Sequence, residues 1–166
     1  MHDELTAVDI EKMKQEITER KARIPALRDE VKRTREYGDL SENDEYRSAK
    51  REYNANNSRI RYLESMIETA VIITVDSKTD EIGLFDEIDI EYVADGEKDT
   101  VRIVTTLRND VFSNNISKES PFGKALLGHK AGDTVTVDVA GKKSYQVKII
   151  AIRKGKDDAS LPIAKF

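Results

Sequence analysis

Two stretches of the chain carry apolar residues at alternating intervals of three and four positions. The first stretch runs through Ile10, Met13, Ile17, Arg20, Ile24, Leu27, Val31 and Thr34, and the second through Tyr46, Ala49, Tyr53, Asn56, Ile60, Leu63, Ile67 and Ala70. Each spacing puts one stripe on one side of an α-helix. Folding the chain back at Leu40 brings the stripes together in pairs, from Thr34 with Tyr46 to Ile10 with Ala70. The pattern predicts an antiparallel coiled-coil hairpin whose tip is residues 38–46.

The ends of both predicted helices carry capping signals. Thr6 can cap the first helix, with Asp9 three residues later completing a capping box. Gly38 is placed to end that helix in the left-handed conformation. Ser41 is predicted to cap the second helix, with Asp44 as its partner in a second capping box. We expect the two helices to end near residues 37 and 69.

A few residues conflict with the regular stripe. Pro25 removes one helical hydrogen bond, and because the stripe continues in phase through it we expect a bend rather than a break. Arg20 and Asn56 occupy stripe positions that would face Ile60 and Ile24. They either fix the register of the two helices or remain partly solvated in a thin two-helix arm. We favour the second interpretation.

From residue 71 the helical spacing gives way to β-branched runs, which are typical of strands. Strands are predicted at residues 71–75, 87–93, 100–105, 134–139 and 144–152. Asp95-Gly96 and Gly141 mark the turns of two hairpins. The pattern predicts an α+β protein, in which a coiled-coil hairpin (residues 1–75) precedes a small, mostly antiparallel sheet domain (residues 76–166).

One short helix is predicted between the two β-hairpins. Ser120 can cap it, Pro121 can occupy its first position and Gly128 can end it. We expect this helix to pack on the sheet. The residues from Lys154 onward show no periodicity, so they are either loose or packed through Leu161, Ile163 and Phe166.

Composition narrows the classes of function. The chain has 166 residues, 38% hydrophobic and 36% charged, with a formal net charge of −4 and no cysteine. A net negative charge argues against nonspecific nucleic-acid binding, and the lack of cysteine excludes disulfides and thiolate metal sites. Residues 1–9 show no signal peptide and no window is long and apolar enough to span a bilayer. We therefore expect a cytoplasmic protein with no membrane association.

Acidic side chains are concentrated at the predicted tip. One interpretation is that Asp39 and Glu42 serve only for solvation and capping, which is the usual role of exposed acids at a turn. The alternative is a partial metal site, because Mg²⁺ prefers oxygen ligands and is often held by one or two carboxylates together with other ligands. Two carboxylates on a tip could complete a site whose remaining ligands belong to a partner.

Two segments resemble the signatures of one family. Gly38-Asp39-Leu40-Ser41-Glu42-Asn43, followed by Glu45-Tyr46, resembles the tip of the bacterial transcript cleavage factors GreA and GreB. The segment from Ile116 through Ser120-Pro121-Phe122-Gly123-Lys124 to Gly128, with Gly132-Asp133 after it, resembles the C-terminal domain of the same family. Together with the hairpin, the resemblance extends over nearly the whole chain and is closer to GreA.

The resemblance implies a function without an active site of its own. It implies that the C-terminal domain is FKBP-like and docks on RNA polymerase while the coiled coil enters the secondary channel. The tip acids, here Asp39 and Glu42, would help to hold a Mg²⁺ ion shared with the polymerase, which then cleaves the 3′ end of backtracked nascent RNA. No cofactor of its own is implied, and we expect a monomer.

The resemblance also suggests contact residues. The polymerase-binding residues would be Ser120, Pro121, Phe122, Gly123 and Lys124, although capping and core packing explain Pro121 and Phe122 equally well. Arg47, Lys50 and Arg51 could contact RNA phosphates or an acidic wall of the channel. Tyr46 could lie near the displaced 3′ nucleotide, or simply be the first apolar residue of the second stripe.

Two other functions remain open at this point. Proteins of this architecture can also occupy the secondary channel and inhibit the polymerase without stimulating cleavage. The presence of both Asp39 and Glu42 favours stimulation of cleavage. Asp44 stands where many members have alanine, and this extra acid leaves the inhibitor as an alternative. An FKBP-like isomerase or chaperone would need an aromatic pocket, and the aromatic residues after position 76 show no clustering along the sequence that indicates one. Residues 107–115 also depart from the usual pattern of the family.

Overall fold

A computed structural model of the chain describes residues 2–38 and 43–165. The chain forms two compact units. The hairpin unit runs from Ile10 to Ala70, and the sheet unit combines the chain up to Asp9 with the chain from Val71 onward. Within the described residues, no helix is both long and apolar enough to cross a membrane.

The predicted hairpin of two long helices is confirmed. Helix α1 spans Ala7–Arg35 and helix α2 spans Asp44–Thr69. The Thr6 hydroxyl accepts a hydrogen bond from the Asp9 amide at 3.3 Å, and the Asp9 carboxylate accepts one from the Thr6 amide at 3.0 Å. This is the predicted capping box. Helix α1 runs without interruption through Pro25, as expected.

The two polar residues of the stripe, Arg20 and Asn56, hydrogen-bond to each other across the hairpin. Asn56 is only 3% exposed, and its side-chain amide donates to the Arg20 carbonyl at 3.0 Å. The Arg20 guanidinium in turn donates to the Asn56 side-chain oxygen at 3.3 Å. The expectation that Asn56 stays half exposed is therefore wrong, because two hydrogen bonds to one residue allow its burial. The pair favours a single register of the two helices.

A buried ion pair lies one turn further along the same helices. The Arg59 side chain is 7% exposed and donates to Glu16 at 2.8 Å, while Arg20 donates to Glu16 at 2.7 Å. Burial raises the pKa of Glu16, but the hydrogen bonds from Arg59 and Arg20 outweigh it and lower that pKa overall. The hairpin is thus joined by a polar layer that the apolar pattern alone did not predict.

A small two-stranded sheet lies in the sheet unit. Strand β1 spans Glu4–Leu5, strand β2 spans Val71–Ile72, and they pair in parallel. The strand predicted over residues 71–75 is shorter in the structure and ends at Ile72. Strand β1 ends at Leu5 because Thr6 begins the cap of α1, so β2 has no further residues to pair with.

The remaining strands form one five-stranded sheet. Their bounds are β3 Glu87–Tyr92, β4 Lys98–Val104, β5 Asn115–Ser117, β6 Thr134–Val137 and β7 Tyr145–Arg153. The order is β5-β4-β3-β7-β6, and every neighbouring pair is antiparallel except β4 with β5. The predicted, mostly antiparallel sheet is confirmed, while the short edge strand β5 was not predicted.

One face of this sheet carries the core. The alternating apolar residues of β3, β4, β6 and β7 are buried, and they are Ile88, Ile90, Val101, Ile103, Val135, Val137, Val147 and Ile149. Helix α3, which spans Pro121–Leu126, buries Leu126 in the same cluster. The opposite face is polar: Arg153 bonds Asp89 at 2.7 Å and Glu87 at 3.3 Å. This alternation follows from the two-residue period of a strand.

The residues after β7 are packed rather than loose. The Lys154 ammonium donates to the buried Asp86 carboxylate at 2.5 Å. Leu161 packs against the core cluster, and Ile163 is half-buried. Phe166 lies outside the described residues. Of the two expectations for this segment, packing is therefore the correct one.

Candidate functional site

Asn43 joins the two helices at the tip of the hairpin. Its side-chain oxygen accepts a hydrogen bond from the Tyr46 amide at 3.0 Å, and its side-chain nitrogen donates to the Thr34 carbonyl at 2.7 Å. The prediction that Ser41 caps α2 with Asp44 as its partner is wrong. Helix α2 begins at Asp44, so the capping position falls to Asn43, a residue type as favourable there as serine.

The two predicted metal ligands lie, in the sequence, between the end of α1 at Arg35 and the start of α2 at Asp44. Asp39 and Glu42 lie outside the described residues, so their role stays a prediction. Gly38, on one side of them, has the predicted positive φ, at 110°, but α1 has already ended at Arg35. Asn43, on the other side, is held by its two hydrogen bonds. Asp44 is described, and its side chain is 94% exposed.

Tyr46 belongs to the interior of the hairpin. It is 9% exposed, its hydroxyl lies 3.5 Å from an Arg35 nitrogen, and the Arg35 guanidinium lies 5.8 Å from the ring centre. The Lys50 ammonium is also 5.8 Å from that ring centre. The hydrogen bond from Arg35 lowers the pKa of the Tyr46 hydroxyl, and Lys50 lowers it further. Arg35 was missed in the sequence, because no local signal connects it with Tyr46.

The predicted basic residues lie on the first turns of α2. Arg47, Lys50 and Arg51 are exposed, and positions three and four apart lie on the same side of a helix. Arg47 approaches Asp44 at 3.7 Å, with both side chains largely in solvent. Such an exposed pair holds its partners weakly. These cations are therefore accessible next to the tip.

The described residues contain no group of three or more histidine, cysteine, aspartate or glutamate side chains that could hold a metal ion. The carboxylates of Asp39 and Glu42 are oxygen donors of the kind that Mg²⁺ prefers. Two such donors fit part of an octahedral set and leave the other positions to further ligands. Asp39 and Glu42 are therefore of a residue type that could supply part of a Mg²⁺ ligand set.

The second predicted segment, residues 120–124, begins α3 in the sheet unit. The Ser120 hydroxyl accepts from the Gly123 amide at 3.0 Å and donates to the Ser117 carbonyl at 2.7 Å, which confirms the predicted cap. A Cβ at Gly123 would lie 2.2 Å from that carbonyl oxygen, so only glycine fits. Pro121 and Lys124 are exposed. They are the residues of this segment with the most surface available to a partner.

Phe122 lies in an aromatic cluster that the sequence did not reveal. Its ring stacks on Tyr145 with a centroid distance of 6.4 Å, and Tyr145 lies 6.2 Å from Tyr92. The sequence showed no clustering that indicates an aromatic pocket, and these three rings come together only because β3, β7 and α3 pack side by side. The rings pack against each other, and Phe122 also contacts the core.

A buried arginine joins three distant parts of the sheet unit. Arg108 is 1% exposed, and its guanidinium donates to Asp9 at 2.7 Å and to the Asp158 carbonyl at 2.9 Å. It also pairs with Asp157 and lies 5.0 Å from the centre of the Phe85 ring. Arg108 lies within residues 107–115, the segment whose sequence departs from the usual pattern of the family.

Both parts of the chain match known protein families. Residues 4–72 match the family described as "Transcription elongation factor, N-terminal", and residues 77–154 match "Transcription elongation factor, GreA/GreB, C-term". A helical hairpin followed by a sheet domain, each matched in this order, is the composition of a two-domain transcription elongation factor.

Relatives specify the family further. The chain is 40% identical to transcription elongation factor GreA of Limosilactobacillus fermentum over 151 residues, which are 90% of this chain and 95% of the relative. It is 41% identical to GreA of Thermotoga neapolitana over 145 residues, 86% of this chain and 93% of the relative. The chain therefore belongs to the GreA/GreB family of transcription elongation factors.

Solved structures of related proteins are also similar. GreA factor homolog 1 of Thermus thermophilus is 28% identical with a TM-score of 0.42, and the match covers 93% of this chain and 100% of that chain. GreA/GreB of Nitrosomonas europaea is 14% identical with a TM-score of 0.40, covering 93% of this chain and 99% of that one. The assignment to the family rests on the sequence matches.

Proposed function

We propose that this protein binds RNA polymerase, inserts its hairpin into the secondary channel and stimulates Mg²⁺-dependent cleavage of backtracked nascent RNA. The observation that supports this most directly is the acidic tip sequence, Gly38-Asp39-Leu40-Ser41-Glu42, between the two helices of a GreA/GreB family hairpin. The chain itself is then an elongation factor that assists a catalytic centre belonging to its partner.

Asp39 and Glu42 would hold the Mg²⁺ ion from the side of the tip. When bound, this ion would supply charge stabilisation and activation of water during RNA hydrolysis. The role of the two carboxylates is to complete the oxygen ligands of the ion, and neither needs to act as an acid or a base. Asp44 is a separate acid at the start of α2, where a negative side chain suits the helix dipole.

The residues beside the tip would support its insertion. Asn43 fixes the start of α2 to Thr34, near the end of α1. Arg47, Lys50 and Arg51 present accessible positive charge to RNA phosphates or to an acidic channel wall. Tyr46 is buried against Arg35, so we assign it to the packing of the tip rather than to contact with the 3′ nucleotide.

The sheet unit would dock on the polymerase through the exposed residues of the segment 120–124. Pro121 and Lys124 are available for contact, whereas Ser120 and Gly123 are explained by the cap and by the close approach to Ser117. Phe122 would act mainly by holding the segment on the sheet through Tyr145.

The test is RNA cleavage in a stalled, backtracked elongation complex of bacterial RNA polymerase at fixed Mg²⁺. We expect the wild-type protein to accelerate release of short 3′ fragments. Asp39→Asn and Glu42→Gln should reduce cleavage to the rate of polymerase alone and still bind the polymerase. Asp44→Asn is the matched control, since it removes an exposed acid at the same tip and should retain stimulation.

Other outcomes would contradict the proposal. If the wild-type protein slowed nucleotide addition without accelerating cleavage, it would be an inhibitor that occupies the secondary channel. If Asp39→Asn lost binding to the polymerase, the tip would be a docking element instead of a metal ligand. If Asp44→Asn abolished stimulation as fully as Asp39→Asn, the assignment of the ligand pair would be wrong.

A further inference from the structure

The turn between β4 and β5 presents apolar side chains to solvent. Phe112 is fully exposed, and its neighbour Val111 is 65% exposed. An exposed apolar residue is common on protein surfaces and needs no explanation by itself. The distinctive feature here is that a large aromatic ring stands at the apex of a turn that is fixed in one conformation.

Hydrogen bonds from three sides fix this turn. The Asp110 carboxylate accepts from the Phe112 amide at 3.1 Å and from the Ser113 hydroxyl at 2.7 Å. Asn114 has a φ of 56° and donates from its side chain to Asp99 at 3.0 Å. The backbones of Asp110 and Asn115 exchange hydrogen bonds at 2.8 and 2.9 Å. A turn ordered in advance loses little conformational entropy when a partner covers it.

The turn is continuous with the segment that we propose docks on RNA polymerase. Strand β5 leads directly from the turn to Ser120 and lies at the edge of the sheet. Its last residue, Ser117, accepts hydrogen bonds from the Ser120 amide at 3.0 Å and the Ser120 hydroxyl at 2.7 Å. The Phe112 turn therefore lies at one end of the edge strand β5, and the chain reaches the segment 120–124 from the other end of the same strand.

The surroundings of Phe112 favour a protein surface over nucleic acid. The ring borders a shallow groove lined mainly by uncharged residues, namely Thr106, Asn109, Pro162, Ile163 and Ala164. The charged side chains of this groove are Asp110 and Lys165, which offset each other. A groove that follows a nucleic-acid backbone needs a positive surface, which is missing here.

We propose that the Phe112 turn, residues 110–115, is an apolar anchor by which the sheet unit docks on RNA polymerase, with the Phe112 ring entering an apolar pocket on the polymerase surface. This inference rests on the proposed function and adds a second contact element to the segment 120–124. Few residues dominate most protein interfaces, and rigid aromatic side chains are prominent among them.

The experiment measures affinity of the full-length protein for bacterial core RNA polymerase, by fluorescence anisotropy of a labelled chain. We expect Phe112→Ala to weaken binding by at least about tenfold, the scale of an aromatic interface residue. Val93→Ala is the matched control, since Val93 is 52% exposed in another turn of the same unit. It should bind like the wild type. Thermal unfolding should be unchanged in both variants, because neither side chain is buried.

The failures of the two proposals are distinguishable. If the wild-type protein does not bind polymerase, the proposed function fails and this inference with it. If the wild type binds and Phe112→Ala binds equally well, the anchor is refuted while the proposed function stands. Sedimentation adds a further outcome: a wild-type dimer that Phe112→Ala dissociates, without loss of polymerase binding, would assign the turn to self-association and overturn the inference.

Discussion

Replacing Arg108 by methionine tests whether the buried charge cluster stabilises the sheet unit. The Arg108 side chain and the Asp9 side chain are both 0% exposed, and Asp157 is 14% exposed. Methionine can fill most of the space beside Phe85 but cannot donate a hydrogen bond. The Asp9 and Asp157 carboxylates would then be buried without their cation.

The expected loss is large because the remaining charges stay buried. Removing one partner of a buried ion pair costs about 3–5 kcal/mol, mostly through the charge that is left without compensation. We therefore expect Arg108→Met to lower the free energy of unfolding of the sheet unit by about 3 kcal/mol, which is roughly a 150-fold change in the unfolding equilibrium. Arg108→Lys should also destabilise, since an ammonium cannot reproduce the planar fork that reaches both Asp9 and the Asp158 carbonyl.

Amide hydrogen exchange in the full-length protein can isolate this effect. The amides of Ile90 and Ile149, in the central strands β3 and β7, report opening of the sheet core, and their protection should fall by roughly two orders of magnitude in Arg108→Met. The matched control is Arg153→Met, which removes an arginine paired with Asp89 on the exposed sheet face. That side chain is 50% exposed, so we expect only a small change.

Two results would refute this reasoning. One is that Arg108→Met loses no more protection than Arg153→Met, which would mean that burial does not set the cost. The other concerns the double variant Asp9→Asn with Arg108→Met, which should recover part of the loss by removing the orphaned charge. If it were less stable than Arg108→Met alone, the loss would come from packing rather than from an uncompensated carboxylate.

Two further predictions concern the tip and the sheet surface. Asn43→Ala should lower the stability of the hairpin by about 1 kcal/mol, because it removes the cap of α2 and the hydrogen bond to Thr34. Thermal unfolding followed by circular dichroism measures this loss. Ser41→Ala is the control, and an equal loss in that variant would contradict the assignment of Asn43 as the cap. The Arg153 hydrogen bond lowers the pKa of Asp89 from 3.8 to about 2, so its stabilisation should be complete above about pH 4 and disappear as pH falls towards 2. Thermal unfolding between pH 2 and 5 should show the difference between wild type and Asp89→Asn shrinking in that window, and a constant difference would refute the assignment.

The helices and turns were predictable because their signals are local. A three-and-four spacing requires only the geometry of one helix, and the cap by Thr6 with Asp9 requires only four consecutive residues. The cap of α2 was the exception. Ser41 and Asn43 are both good capping residues close to the start of the same helix, and the sequence offered no criterion to choose between them. Asn43 prevails where its side chain also reaches the Thr34 carbonyl of the other helix.

The polar residues of the hairpin illustrate the same limit. Each of Arg20 and Asn56 alone looks like an interruption of an apolar stripe, and solvation is then the simplest interpretation. Their mutual hydrogen bonds exist only once α1 and α2 are side by side. The same is true of the aromatic cluster, whose members Tyr92, Phe122 and Tyr145 come from separate elements.

By itself, the sequence determined the antiparallel hairpin, the mostly antiparallel sheet with its short helix, and the acidic composition of the tip. These depend on periodicity, on turn residues and on residue type, all of which are local. Only the tertiary structure decided that Arg108 is buried against Asp9, about a hundred residues earlier in the chain, and that Phe112 stands in solvent. The physical reason is that burial and pairing depend on which segments pack together, and this information is spread over the whole chain.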